Sequence, residues 1–297
     1  MTQMSFRVHF PSTFPTQPAA VSLSEHGEPR GRSSRAGWSP VWWPVILLAG
    51  ASWILVAYDL DRSWEQQFWS AQNGWHWADN AWIQFLYRYG TLPALVATGL
   101  GGLVWILSYF GVRWKPFRQL GGFLVLAMLL GPGLLINGTF KEFYGRPRPK
   151  HVMEFGGTEP FRQFGEPTFA ASGRSFPSGH ASMGFFWFAP CIYCWQRHRR
   201  LALAFAALAL VHGGLMSFGR MAQGAHWPSD NLWAAAIVYL CSWAIYRALR
   251  IPGVRTPSVC PIPGAREYGG APIDILHHRS TPVKMTKKAE HVGSALD

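Results

Sequence analysis

Lys141, Arg148 followed by Pro149, the run Pro177-Ser178-Gly179-His180, and then Arg220, His226 and Asp230 combine side chains that could hold and cleave a phosphate ester. Lys141, Arg148 and Arg220 can neutralise nonbridging oxygens, a task for which the planar forks of the two arginines are especially suited. His226 and Asp230 stand four residues apart at a helix start, so the carboxylate can accept the imidazole Nδ1 proton and leave Nε2 to attack phosphorus. His180 can protonate the departing oxygen and later activate water. Ser178 and the Gly179 amide precede a helix, where a hydroxyl and unpaired backbone donors can cradle an oxyanion.

Elements that could position such a set are strongly apolar. Of the 297 residues 49% are hydrophobic, with 16 Trp and 20 Phe, and only 14% are charged, against about 25% in soluble domains. Apolar runs at 41–58, 91–110, 119–140, 181–196, 201–218 and 231–246 approach the ~17–25 residues that cross a bilayer. The predicted fold is therefore all-α, a six-span transmembrane bundle over 38–250. A loose Ser-, Pro- and Gly-rich arm occupies 1–37, and a basic, Pro-rich tail occupies 251–297. The arm lacks the pattern of a cleaved signal peptide, so the first span is expected to remain as an anchor.

The net charge of +12 sorts by position. With a cytoplasmic N-terminus, 18 of the 27 Lys and Arg fall on the cytoplasmic side, as the positive-inside bias requires. Both termini are then cytoplasmic. By the same parity Lys141, Arg148, His180, Arg220, His226 and Asp230 all reach the opposite face, which makes one composite site there the economical reading, because ionisable groups at membrane depth are costly. Nucleic acid is not an expected partner, since no basic stripe with interleaved exposed aromatics is present.

The spacings Lys-x6-Arg-Pro, Pro-Ser-Gly-His and Arg-x5-His-x3-Asp resemble the three motifs of the type 2 phosphatidic acid phosphatase superfamily of integral membrane lipid phosphatases. One position departs, Gly219 standing where the family has serine. The resemblance implies His226 as nucleophile, Asp230 as its partner and His180 as acid/base, with Lys141, Arg148, Ser178, Gly179 and Arg220 binding phosphate. It implies no metal and no cofactor, and the sequence likewise has no external carboxylate cluster suited to a magnesium pair. The expected substrate is a phosphorylated membrane lipid: undecaprenyl diphosphate, lipid A phosphate, phosphatidylglycerol phosphate or phosphatidate. The expected location is a bacterial inner membrane, with the site facing the periplasm or exterior. A non-enzymatic lipid-phosphate binding or transport protein and a vanadate-dependent peroxidase-like enzyme are the alternatives. The sequence does not fix the oligomeric state.

Two segments flank this core on the site's face. The loop 150–175 is expected to act as a lid over the headgroup, with Arg146, Lys150, Phe155 and Arg174 as further substrate contacts. The Trp-rich stretch 64–88 is expected to form an interfacial helix pair. Cys191-x-x-Cys194 lies inside a predicted span and reads as buried reduced thiols. His277-His278 reads as a solvated pair in the tail.

Overall fold

The computed structural model describes residues 39–169 and 173–251. The arm at 1–37, almost all of the tail at 251–297, Cys260 and His277-His278 lie outside the described residues.

The chain is predominantly helical. Helix α1 (Ser39–Ala57) leads through Asp59, in the left-handed region, into the short α2 (Leu60–Glu65). Between α2 and α3 (Ala81–Tyr89) stands a two-stranded antiparallel hairpin, β1 (Trp69–Ser70) and β2 (Gly74–Trp75). The stretch 64–88 is thus not a helix pair. Gly74, at φ 59, takes a turn that a side chain would resist, and Asn73 N–H donates to Ser70 Oγ at 3.2 Å. Asn80 caps α3 by accepting from the Trp82 amide.

Helix α4 (Leu92–Phe110) starts with Pro93 in its first turn and stops at Gly111. It packs along α5 (Arg118–Met128). Gly101 and Gly121 are what let these two helices touch, since a Cβ on Gly121 would lie 2.3 Å from the Gly101 carbonyl oxygen. Beyond α5 the chain is π-helical over Leu129–Phe140 and ends in the single turn α6 (Lys141–Phe143). Pro132 inside this stretch has no amide proton for the α-helical ladder, a sufficient reason for the wider winding.

The expected span at 181–196 is two helices, α7 (Gly179–Phe185) and α8 (Phe188–Cys194), joined at Phe186-Trp187. Both pack on α9 (Arg199–Ala222), and α10 (Pro228–Ala248) closes against α7, α8, α1 and the π-helical segment. Phe123, Phe186, Tyr193 and Ile245 fill the main core, with Cys191 and Cys194 buried among them; both thiols are free.

Among the described residues three helical stretches, Ala81–Phe110, Val112–Phe143 and Arg199–Ala222, are long and apolar enough to cross a membrane, and Trp42–Ala57 is a shorter apolar helix. Their outward faces carry Leu100, Ile106, Phe110, Leu203, Leu210 and Val211, all exposed. Large apolar side chains turned outward along whole helices are stable against lipid rather than water, and the protein is membrane-associated. At the far end of the bundle from Lys141 and Arg220, Arg118 lies over Tyr109, Arg197 over Tyr193 and Arg199 over Trp195.

Candidate active site

His226 sits in the short link between α9 and α10. Gly224 makes the turn at φ 58, and its missing side chain admits the Trp75 ring, which an added Cβ would approach to 2.3 Å. The Gly224 carbonyl accepts from the Lys150 amide at 3.0 Å, tying this link to the end of the Lys-x6-Arg-Pro motif. The imidazole is 1% exposed. Its Nδ1 lies 2.7 Å from the Ser175 carbonyl oxygen and 3.7 Å from Asp230 Oδ2. The backbone carbonyl, not the Asp230 carboxylate, is therefore the direct acceptor of the Nδ1 proton; Asp230 contributes its charge from just behind. Either acceptor fixes the same tautomer and leaves the Nε2 lone pair available. Burial dominates the titration of His226 and lowers its pKa to about 4, against the raising effect of Asp230, so the ring is neutral at pH 7.

Asp230 is itself immobilised. Oδ2 accepts from Ser175 Oγ at 2.5 Å and from the Trp227 amide at 2.9 Å, the second bond also capping α10. Oδ1 accepts from Arg146 Nη1 at 2.7 Å. Ser178 caps α7 through the Ala181 amide, and its own amide donates to the Asp230 carbonyl at 3.2 Å, which joins the starts of α7 and α10.

Around this pair stand the cations. Lys141 Nζ donates to Asn137 Oδ1 at 3.3 Å, and Asn137 is in turn anchored by donation to the Pro132 carbonyl at 2.7 Å. The π-helical turn thus aims Lys141 at the start of α7, where a Cβ on Gly179 would lie 3.2 Å from Nζ. Arg220 lies over the Tyr87 ring at 4.8 Å and donates to Gln223 Oε1 at 2.5 Å, while His180 stacks on the same tyrosine at 5.0 Å. Lys141, Arg148 and Arg220 are near enough to act electrostatically on His180, and Lys141 and Arg220 also act on His226. A cavity of about 290 Å³ opens beside them, lined by Gln84, Tyr87, Arg148, Lys150, Arg220 and Gln223 among others. Burial, Arg148 and Arg220 lower the Lys150 pKa.

The residues expected to bind and transform phosphate are therefore gathered at one end of the bundle. Two of the four further substrate contacts are not. Arg146 is wholly buried and spends its donors on the Arg162 carbonyl, Ser229, Asp230 and Asp61. Phe155 is buried among Trp69, Trp75 and Trp227. Two neighbouring arginines in Arg146-Pro147-Arg148 have opposite fates, one inside and one at the cavity. Arg174 is exposed and paired with Glu142. In the loop expected to be a lid, Phe161 packs on Trp227 and Phe164 on Phe176 and Trp233, so these aromatics seat the loop; Phe169 is exposed. Tyr87, Asn137, Ser175 and Gln223 were not expected at the site. Of these only Gln223, one helical turn after Arg220, has a spacing that could have flagged it.

Gly219 is buried, and a Cβ there would meet Leu86 at 3.7 Å, an ordinary contact. The departure from the family serine is therefore not forced by lack of room. Among the described residues no group of three or more His, Cys, Asp or Glu is arranged to hold a metal ion.

The fold and the site define a helical, membrane-associated protein with three cations gathered beside a buried, pinned imidazole. Residues 120–251, the stretch that carries all three motifs, match the PAP2 superfamily. It is 38% identical over 135 residues to a lipid A 4′-phosphatase of Francisella tularensis subsp. novicida, a match covering 44% of this chain and 58% of the relative. It is 32% identical over 124 residues to a lipid A 4′-phosphatase of Rhizobium leguminosarum, covering 41% and 50%. A lipid A 4′-phosphatase of Rhizobium etli is also 32% identical, over 126 residues, covering 41% and 46%. The chain thus spans about half the length of the curated relatives it matches. No solved structure matches it.

Proposed function

We propose that this protein hydrolyses a phosphate monoester or diphosphate from a membrane lipid, without a metal, through a phosphohistidine on His226. The observation that carries the reading is the neutral His226 ring with Nδ1 held on the Ser175 carbonyl, set beside three cations and a second imidazole. In the first step Nε2 attacks phosphorus, the bond from phosphorus to the lipid oxygen breaks, and that oxygen takes a proton from His180, which enters the step as imidazolium once the bound phosphate's negative charge offsets Lys141, Arg148 and Arg220. Lys141, Arg148, Arg220 and the amides at the start of α7 offset the charge on the nonbridging oxygens. In the second step His180 accepts a proton from water, the water oxygen attacks phosphorus, and the P–N bond breaks to restore neutral His226.

The relatives' names favour lipid A phosphate as substrate, ahead of undecaprenyl diphosphate, phosphatidylglycerol phosphate and phosphatidate. Six spans, cytoplasmic termini and a site on the periplasmic face of a bacterial inner membrane complete the proposal, motivated by the Lys and Arg count. Purified protein in detergent, given this panel of four lipids and soluble phosphoesters with excess EDTA, is expected to release phosphate from lipids first. No release from any lipid would refute the function. Full biological activity of His226→Ala would favour a non-enzymatic binding protein, and halogenation without phosphatase activity would favour a vanadate-dependent enzyme.

A further inference from the structure

We propose that Asp61, far from the three motifs in sequence, is a positioning residue of this site, acting through Arg146 and Asp230 on His226. The inference rests on the phosphohistidine reading above. Asp61, from α2, is buried. Its Oδ2 accepts from Arg146 Nη2 at 2.7 Å and from Ser229 Oγ at 2.6 Å, and its Oδ1 accepts from the Ser229 amide at 2.9 Å. It therefore grips both the guanidinium that holds Asp230 and the first turn of the helix that carries Asp230. Arg146 Nη1 reaches Asp230 Oδ1 at 2.7 Å, and Trp227 lies against the guanidinium at 5.3 Å.

The charge balance gives this arrangement a purpose. Two carboxylates, Asp61 and Asp230, share one guanidinium, so the buried group retains one net negative charge while the His226 ring is neutral. When Nε2 bonds to phosphorus with Nδ1 still protonated, the ring becomes a cation, and a cation out of water needs a compensating charge nearby. The group supplies it through Asp230, 3.7 Å from Nδ1. Without Asp61, Arg146 would cancel Asp230 and the phosphorylated ring would stand uncompensated.

Glu65, at the end of the same short helix, does not serve in place of Asp61. Both of its oxygens are buried and unpartnered, and burial, together with Asp61 and Asp230, raises its pKa well above the ordinary carboxylate value. Burial thus favours its uncharged form, and the compensating charge at His226 is assigned to Asp61 and Asp230.

The test compares Asp61→Asn and Glu65→Gln in the full chain, purified in detergent, on the panel lipid that wild type hydrolyses fastest. Inorganic phosphate serves as a competitive probe of the cradle. Asp61→Asn is expected to lower kcat by ~10²-fold, at the low end of what a positioned acid–base group contributes, with KM and phosphate inhibition within ~3-fold of wild type, the pattern of an interaction made only in the transition state. Glu65→Gln is expected to be silent. If Asp61→Asn does not accumulate, Arg146→Lys keeps the charge but loses the fork that joins the two carboxylates, and the same kcat loss with unchanged phosphate inhibition is expected. Three results would overturn the inference: kcat within ~3-fold of wild type, a loss of phosphate inhibition parallel to the loss of kcat, or an equal loss in Glu65→Gln. A wild type inactive on every lipid would refute the function itself, and shows before any substitution is made.

Discussion

Gly179→Ala tests whether Lys141 belongs to the phosphate cradle. The added methyl would lie 2.6 Å from Asn137 Oδ1 and 3.2 Å from Lys141 Nζ. Asn137 cannot swing away freely, because its amide nitrogen is bonded to the Pro132 carbonyl. Its Oδ1 must still shift to relieve the 2.6 Å contact, which loosens its hold on Lys141 Nζ and lets that flexible tip draw back from the start of α7. The fold should survive, since no backbone atom is among the close contacts. The loss is one hydrogen bond from a charged donor to a phosphate oxygen, worth about 1.5–3 kcal/mol, and hence ~10–10²-fold in kcat/KM. Phosphate release from lipid micelles measures it, with the thermal midpoint as the control for folding. A kcat/KM within ~3-fold of wild type in a folded Gly179→Ala protein would mean that Lys141 does not act at the start of α7.

Three further outcomes are expected. Gly184→Ala would place a Cβ 2.6 Å from the Gly213 Cα, backbone against backbone, between the helices that carry His180 and Arg220; overpacking of this kind costs ~1–3 kcal/mol, so the thermal midpoint should fall by ~2–4 °C per kcal/mol, and an unchanged midpoint would contradict the α7–α9 contact. The pKa of His226 is lowered to about 4 by burial, so the unfolded chain takes up this proton first, near pH 6.5, and the stability due to the neutral ring is full above that pH and lost as pH falls toward 4. The advantage in thermal midpoint of wild type over His226→Asn should therefore shrink from pH 7 to pH 5, and a widening advantage would refute the neutral ring. Thr158 is exposed in the loop on the site's face, and a cysteine there should react with an impermeant maleimide in intact spheroplasts, whereas reaction only after lysis would invert the proposed topology.

Much of the site was legible because its residues are anchored to helix ends, and helix ends can be read from apolar runs. Lys141 ends one, Ser178 and Asp230 cap two, and Arg220 lies in the last turn of a fourth. Spacing within a motif also predicted that His226 and Asp230 are neighbours. Which atom accepts the His226 proton could not be read, because Ser175 lies 51 residues away and contributes its backbone, which any residue has. Arg146 and Arg148 are identical in type and two positions apart; only the packing of Trp227 and the carboxylates of Asp61 and Asp230 decides which one is buried. The hairpin at Trp69–Trp75 was masked by tryptophans that suit a helix or a strand equally, and the break at Phe186-Trp187 by apolar residues on both sides of it.

His226 Nε2 is the atom proposed to bond phosphorus. Rapid quench of the enzyme with lipid carrying labelled phosphate, followed by separation of the protein, measures this directly. Wild type should carry acid-labile, base-stable label, and His226→Ala should carry none and release no phosphate. A folded His226→Ala protein that still releases phosphate at the wild-type rate would contradict the account, and would assign the attack to water or to another nucleophile.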